Sequence, residues 1–191
     1  MVSRKDFFRK SWKLAVGAAA ESIDKRLPNE EDFSDFPKLI RPPGAVANFA
    51  EKCTTCGECV KVCPAEAIRV TFEKPFKKEL PSINPSEKAC QMCETLDCIK
   101  VCEDEALVFN DTLTFPKIGL AELQKDKCLS FNGSLCMTCY DACPLKRTAI
   151  KFKFNKPIVI DEECTGCGIC EEFCVLEKGT KGIVVKPLMI E

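Results

Sequence analysis

Cys53-Thr54-Thr55-Cys56-Gly57-Glu58-Cys59-Val60-Lys61-Val62-Cys63-Pro64 is the stretch whose reading decides the fold. Its spacing, C-x2-C-x2-C-x3-C-P, recurs without the proline at Cys164, Cys167, Cys170 and Cys174. Between these runs lie two stretched versions: Cys90, Cys93, Cys98 and Cys102 as C-x2-C-x4-C-x3-C, and Cys128, Cys136, Cys139 and Cys143 as C-x7-C-x2-C-x3-C. The four quartets use all 16 cysteines. Three closely spaced thiolates can wrap one iron–sulfur cubane while the last cysteine of the run reaches a second. The sequence therefore predicts four [4Fe–4S] clusters, with these sixteen cysteines as the cofactor-binding and iron-ligating residues.

The x3 interval sets each fourth cysteine about one helical turn beyond the third. Cys59 and Cys63, Cys98 and Cys102, Cys139 and Cys143, and Cys170 and Cys174 are each expected on a short helix whose far end points at the neighbouring cluster. Pro64 and Pro144 follow the last cysteine of their quartets, where a fixed φ and a missing N–H suit a turn; Glu103 and Val175 stand there in the other two. Val60, Val62, Ile68, Ile99, Val101, Ile150, Ile169 and Phe173 flank the ligands and are expected to pack as core, excluding water from the clusters. Tyr140 reads as packing, and Gly57, Gly166 and Gly168 as backbone room for the cluster loops.

Two other uses of cysteine fit less well. A disulfide scaffold is the usual reading of an even count in a small exported chain. Such frameworks seldom repeat one quartet spacing. Zinc knuckles commonly separate two C-x2-C pairs by a longer loop, whereas four cysteines here fall within residues 53–63. The absence of histidine excludes Rieske-type ligation and a C-x-x-C-H haem site.

First cysteines of successive quartets stand 37, 38 and 36 residues apart, from 53 to 90, 90 to 128 and 128 to 164, which marks internal repetition. Short β-rich runs at 68–72, 106–109, 150–154, 158–160 and 182–185 accompany the quartets. The fold class expected is α+β: a duplicated bacterial ferredoxin-like fold of two two-cluster modules, residues 51–112 and 113–191, with an extended N-terminal arm. Pairing first with second quartet and third with fourth gives the shortest closures. The nested arrangement, first with fourth and second with third, is the alternative.

Residues 1–20 differ from the rest. Arg4, Lys5, Arg9, Lys10 and Lys13 precede a short apolar run, 14–20, ending in three alanines. This is the plan of an export signal, and the segment 3–10 is similar to a twin-arginine motif with lysine in the second basic position. Clusters are assembled in a reducing cytoplasm, so a cluster protein working outside must cross folded, which that route permits. The expectation is a periplasmic protein. A cytoplasmic chain, or one held at the membrane surface by a basic amphipathic segment carrying Phe7, Phe8 and Trp12, is the alternative. Residues 21–50 carry Pro28, Pro37, Pro42 and Pro43 and read as the extended arm, which Phe33, Phe36, Leu39, Ile40 and Phe49 could dock onto the body. No stretch approaches the length of a membrane span.

With 46% apolar residues and formal net charge −1, little sequence lies outside the quartets and their connectors, which leaves no separate catalytic domain. Asp161, Glu162, Glu163, Glu171 and Glu172 form an acidic group around the fourth quartet, and Lys74, Lys77 and Lys78 a basic one; both read as solvated surface, with partner steering as the alternative.

Arg41-Pro42-Pro43-Gly44-Ala45, Cys90-Gln91-Met92-Cys93, Cys136-Met137-Thr138-Cys139-Tyr140 and Cys164-Thr165-Gly166-Cys167-Gly168 stand in the order found in the NapG/MauM-type ferredoxins, and the chain resembles that family from its first residues to Val185. The resemblance implies a four-cluster periplasmic electron-transfer subunit. Its expected partners are a membrane ferredoxin that oxidises quinol and a periplasmic reductase or cytochrome, with no nucleic acid and no small-molecule substrate. The rival readings are an enzyme with one open cluster, against which every quartet is complete, and a cluster-bearing assembly factor for a partner reductase.

Overall fold

The computed structural model describes residues 39–109 and 115–188. The signal-like segment 1–20 and the arm as far as residue 38, including Phe33 and Phe36, lie outside them.

A run of closely spaced ligands leaves little chain for regular structure, and the elements are short. In order they are α1 (Phe49–Lys52), α2 (Glu58–Lys61), β1 (Ile68–Glu73), β2 (Lys78–Ile83), α3 (Asp97–Lys100), β3 (Gly119–Leu123), α4 (Thr138–Ala142), β4 (Ile150–Lys153), β5 (Lys156–Val159), α5 (Ile169–Glu172) and β6 (Ile183–Pro187). The strands form three antiparallel two-stranded sheets, β1 with β2, β4 with β5, and β3 with β6. The mixed α and β content with small sheets is that of ferredoxin-type domains.

The helices sit where the x3 interval puts them, with one refinement. Each third cysteine is the second residue of its helix, and each fourth lies one or two residues past the helix end rather than on it. A four-residue helix closes about one turn. The fourth thiol is thus delivered beyond the helix tip.

The run at 106–109 is not a strand of a sheet. It pairs with the arm instead: Ala45 bridges Leu107, Val46 N–H donates to Ala106 O at 3.1 Å, and Val108 N–H donates to Gly44 O at 2.7 Å. Ile40 bridges Ile83 in the same way, with N–H to O distances of 3.1 and 2.7 Å in the two directions. Pro42 and Pro43 are fully buried. This end of the arm is therefore part of the body, and Arg41 fixes it further through a two-pronged ion pair with Glu73 while its guanidinium lies 5.1 Å over the Phe49 ring.

One continuous core runs from Ile40 through Leu80, Ile83, Ala106 and Ile150 to Ile183 and Val185. Its tightest approach is between backbones. A Cβ on Gly166 would stand 2.2 Å from the Gly119 carbonyl carbon, at φ +71°, while Gly57, at φ +78°, has open space in the same direction. Gly166→Ala should therefore lower stability by clearly more than Gly57→Ala, for which only the left-handed backbone penalty of about 1–2 kcal/mol applies. Thermal unfolding of the two variants checks the order; equal losses would mean that the backbones at 118–119 and 165–166 do not touch.

Candidate iron-sulfur sites

Each tetrad of thiols is made from two quartets. A cavity of about 30 Å3 is lined by Cys63 from the first quartet and Cys90, Cys93 and Cys98 from the second, with Pro64, Ile68, Leu96 and Phe115 closing it. A second cavity, of about 20 Å3, is lined by Cys128, Cys136 and Cys139 together with Cys174. A third of about 20 Å3 is lined by Cys143 with Cys164, Cys167 and Cys170. The remaining thiols, Cys53, Cys56, Cys59 and Cys102, share one locality: the charges that act on Cys59 come from Cys53, Cys56, Cys98 and Cys102. For brevity these are sites 1 (Cys53, Cys56, Cys59, Cys102), 2 (Cys63, Cys90, Cys93, Cys98), 3 (Cys128, Cys136, Cys139, Cys174) and 4 (Cys143, Cys164, Cys167, Cys170).

Backbone geometry explains the exchange. Helices α2 and α3 pack against each other, as do α4 and α5, so each hands its terminal cysteine across to the partner's loop. Gly57 at φ +78° and Gly168 at φ +91° turn the chain into α2 and α5, and Leu96 at φ +47° does the same for α3. The two halves repeat one further detail. Leu107 N–H donates to Cys102 Sγ at 3.3 Å and Gly182 N–H donates to Cys174 Sγ at 3.4 Å, each from a residue five to eight positions on.

The electrostatics of the tetrads fit a cationic inorganic group. Burial first, and neighbouring thiols second, push Cys59 and Cys139 up to about 12; burial pushes Cys98 up to about 11, again with thiol neighbours adding. Cys90 rises to about 12 through burial, against an opposing backbone hydrogen bond, and Cys170 rises well above its ordinary value for the same leading reason. Such thiols hold their protons at neutral pH. Positive charge bound at the centre of a tetrad would displace them. Among the described residues no three Cys, Asp or Glu side chains converge closely enough to hold a single ion. At sites 2, 3 and 4 the thiols ring a void, which suits a multi-atom cluster better than one zinc.

The sites adjoin in a definite order. Cys98 of site 2 acts on Cys59 of site 1, Cys90 N–H of site 2 donates to Cys167 O of site 4 at 3.0 Å, and Cys139 of site 3 acts on Cys170 of site 4. The sequence order 1-2-3-4 becomes the spatial order 1-2-4-3.

Two residues read as solvated acids hold the centre of that line. Glu171, only 6% exposed, accepts from the Ser86 hydroxyl and from Val185 N–H at 2.6 Å, and Glu172 accepts from Ala89 N–H at 2.8 Å, next to Cys90. Lys181, also buried, donates to Glu172 O and Cys174 O at 3.3 and 2.8 Å. Asp161, Glu162 and Glu163 are exposed as expected. The sequence signal that separates the two groups is position: Glu171 and Glu172 lie inside the helix between two ligands, where one face must turn inward. Of the apolar flanking residues, Ile68, Ile150 and Ile169 are buried, but Phe173, just past the end of α5, is 55% exposed. Tyr140 packs edge-on against Phe152 with ring centroids 5.9 Å apart.

Charge is uneven along the line. Around site 1 stand Glu51, Glu58, Glu103, Asp104 and Glu105 against Lys52, Lys61 and Lys78, the last of which reads as solvated surface in the sequence but donates to the Ala50 and Cys53 carbonyls, whereas beside the 129–135 loop of site 3 stand Lys125, Lys127 and Lys156 against Asp126 and, on α4, Asp141.

Residues 49–69 match the 4Fe-4S binding domain family Fer4, and residues 125–149 with 161–174 match a second 4Fe-4S binding domain family, Fer4_4. Over 203 aligned residues the chain is 33% identical to the ferredoxin-type protein NapG of Escherichia coli (strain K12), covering 98% of this chain and 87% of that protein. The chain belongs to the NapG/MauM family of ferredoxin-type proteins. It is likewise 33% identical over 190 residues to the methylamine utilization ferredoxin-type protein MauM of Methylorubrum extorquens, covering 91% of this chain and 80% of that one. The ferredoxin-type protein NapF of Haemophilus influenzae is 32% identical over 143 residues, 71% of this chain and 74% of that protein. As a NapG/MauM protein the chain is a ferredoxin-type iron–sulfur electron carrier, and its tetrads are where 4Fe-4S groups fit.

Proposed function

We propose that this NapG/MauM protein is a four-cluster relay of two consecutively paired modules, exported to the periplasm, that carries electrons from a quinol-oxidising membrane ferredoxin toward a periplasmic reductase or cytochrome. The observation that carries the reading is the unbroken contact order of the four tetrads. When bound, each [4Fe–4S] group supplies a one-electron couple. The protein's part is placement. Cys63 and Cys102 tie sites 1 and 2, Cys143 and Cys174 tie sites 3 and 4, and Glu171 and Glu172 fix sites 2 and 4 to each other. Backbone N–H groups aimed at Cys102 and Cys174 Sγ in sites 1 and 3, and the apolar walls from Ile68 in site 2 and Ile150 in site 4, set the potentials of those sites. The basic-apolar-small plan of residues 1–20 supports export, and no helix among the described residues is long and apolar enough to cross a membrane.

A reductive titration tests the relay. Anaerobically purified holoprotein should take up about four electrons per chain reversibly, one per cube. Uptake of about one electron, or none on repeated cycling, would contradict it and would favour the assembly-factor reading instead.

A further inference from the structure

Third among the quartets in sequence but last in space, site 3 carries a loop found in no other quartet. The seven-residue spacer 129–135 is folded on itself: Asn132 Nδ2 donates to the carbonyls of Lys125, Asp126 and Cys128, Ser134 N–H donates to Leu129 O, and the Ser130 hydroxyl donates to Cys136 O at 2.5 Å. A loop this well tied does not expose an apolar residue for want of order. Yet it holds Leu135 79% exposed directly beside ligand Cys136, with Met137 on the other side, and Val175, 61% exposed, stands on the wall of the same cavity. Basic side chains edge the patch. Lys125 and Lys156 hold their ammonium groups 5.8 and 5.2 Å over the ring of Phe131, and Lys127 is exposed beside them, against the carboxylates of Asp126 and Asp141.

The opposite end differs. There the exposed ligand is Cys56, and carboxylates outnumber the lysines around its site, with Asp104 accepting from the Thr54 hydroxyl at 2.5 Å. Two termini of opposite sign select partners of opposite sign.

Resting on the relay order proposed above, we propose that the Leu135, Met137 and Val175 face at site 3 docks a redox protein whose own face is acidic around an apolar centre. Transfer there moves one electron between the reduced carrier and the partner's oxidised cofactor, with no bond made and no proton moved. The opposite pole, at Cys56, accepts a basic partner.

Cytochrome c supplies a matched pair of probes: in its native form it is basic, and with its lysines succinylated it is acidic. Binding of each to oxidised holoprotein is read by sedimentation velocity at low and high salt, and the contact is mapped by carbodiimide cross-linking and peptide mass. The succinylated form should bind, weaken with salt, and cross-link to Lys125, Lys127 or Lys156. The triple variant K125E/K127E/K156E should lose about tenfold or more of that affinity while the native cytochrome is unaffected, and Leu135→Ser should weaken binding with no change in salt dependence. Iron content is measured on each preparation. Holoprotein with full iron that ignores the succinylated form, binds both forms at the site 3 face, cross-links through the β1–β2 hairpin lysines, or uses this face for anionic lipid vesicles would overturn the docking face and leave the relay intact; loss of iron in the wild-type chain would strike the relay instead.

Discussion

Replacing Cys102 with serine should remove the same electron paramagnetic resonance component that replacing Cys56 removes, although the two residues belong to different quartets. Cys63→Ser should instead match Cys93→Ser. The expectation follows from the tetrads: Cys102 lies with Cys53, Cys56 and Cys59, and Cys63 lines the cavity of Cys90, Cys93 and Cys98. Serine is a poor substitute for a thiolate on iron. Each variant should lose about a quarter of the iron, that of one cube in four. The parallel pair, Cys174→Ser with Cys136→Ser and Cys143→Ser with Cys167→Ser, applies the same test to the second half. If Cys102→Ser matched Cys93→Ser, ligation would follow the quartets and the exchange between α2 and α3 would be wrong.

The second large effect concerns Glu171. Its carboxylate is buried, and one oxygen takes the Ser86 hydroxyl while the other takes Val185 N–H. Truncation to alanine leaves a buried backbone donor unpaired and opens a gap where α5 meets β6 and the 84–89 turn. Hydrogen bonds to a charged group carry about 1.5–3 kcal/mol each, so a loss of about 3 kcal/mol is expected; for a chain of this size that lowers the unfolding midpoint by roughly 6–12 °C. Glu171→Gln retains one acceptor for Val185 and an amide that can donate to Ser86, and should recover most of the loss. Circular dichroism melts measure both. A positioning role for Glu171 further requires that Glu171→Ala slow exchange between sites 2 and 4, seen as loss of spin–spin broadening between their signals. A Glu171→Ala protein that melts like the wild type, with broadening intact, would return Glu171 to the solvated surface.

Cysteine spacing made the sites legible because ligand geometry is local: three thiolates within seven or so residues and a fourth one helical turn on leave few arrangements. The hairpins β1–β2 and β4–β5 were half legible. Alternation and β-branched residues mark β1, β4, β5 and β6, whereas β2 hides behind Pro81, which a two-stranded sheet tolerates because its outer edge needs no donor. Strand β3, beginning at Gly119, carries no strand signal of its own; it exists because its backbone can approach Gly166 and pair with β6 from Gly119↔Pro187 to Leu123↔Ile183. The run at 106–109 had the right composition, but the arm, not another strand of the core, supplies its partner. Only their place between Cys170 and Cys174 distinguishes Glu171 and Glu172 from Glu162 and Glu163. Their burial is set by what packs on α5 from the other half of the chain, a long-range fact. For the same reason the order 1-2-4-3 is absent from the spacing and present only in the contact of Cys90 with Cys167.

The most direct measurement is anomalous scattering at the iron edge from crystals grown without oxygen. The account predicts four compact iron peaks, one inside each of the tetrads Cys53/Cys56/Cys59/Cys102, Cys63/Cys90/Cys93/Cys98, Cys128/Cys136/Cys139/Cys174 and Cys143/Cys164/Cys167/Cys170, with the second and last of these as the two inner members of the line. Fewer than four peaks, or a peak ligated by the four cysteines of a single quartet, would contradict it.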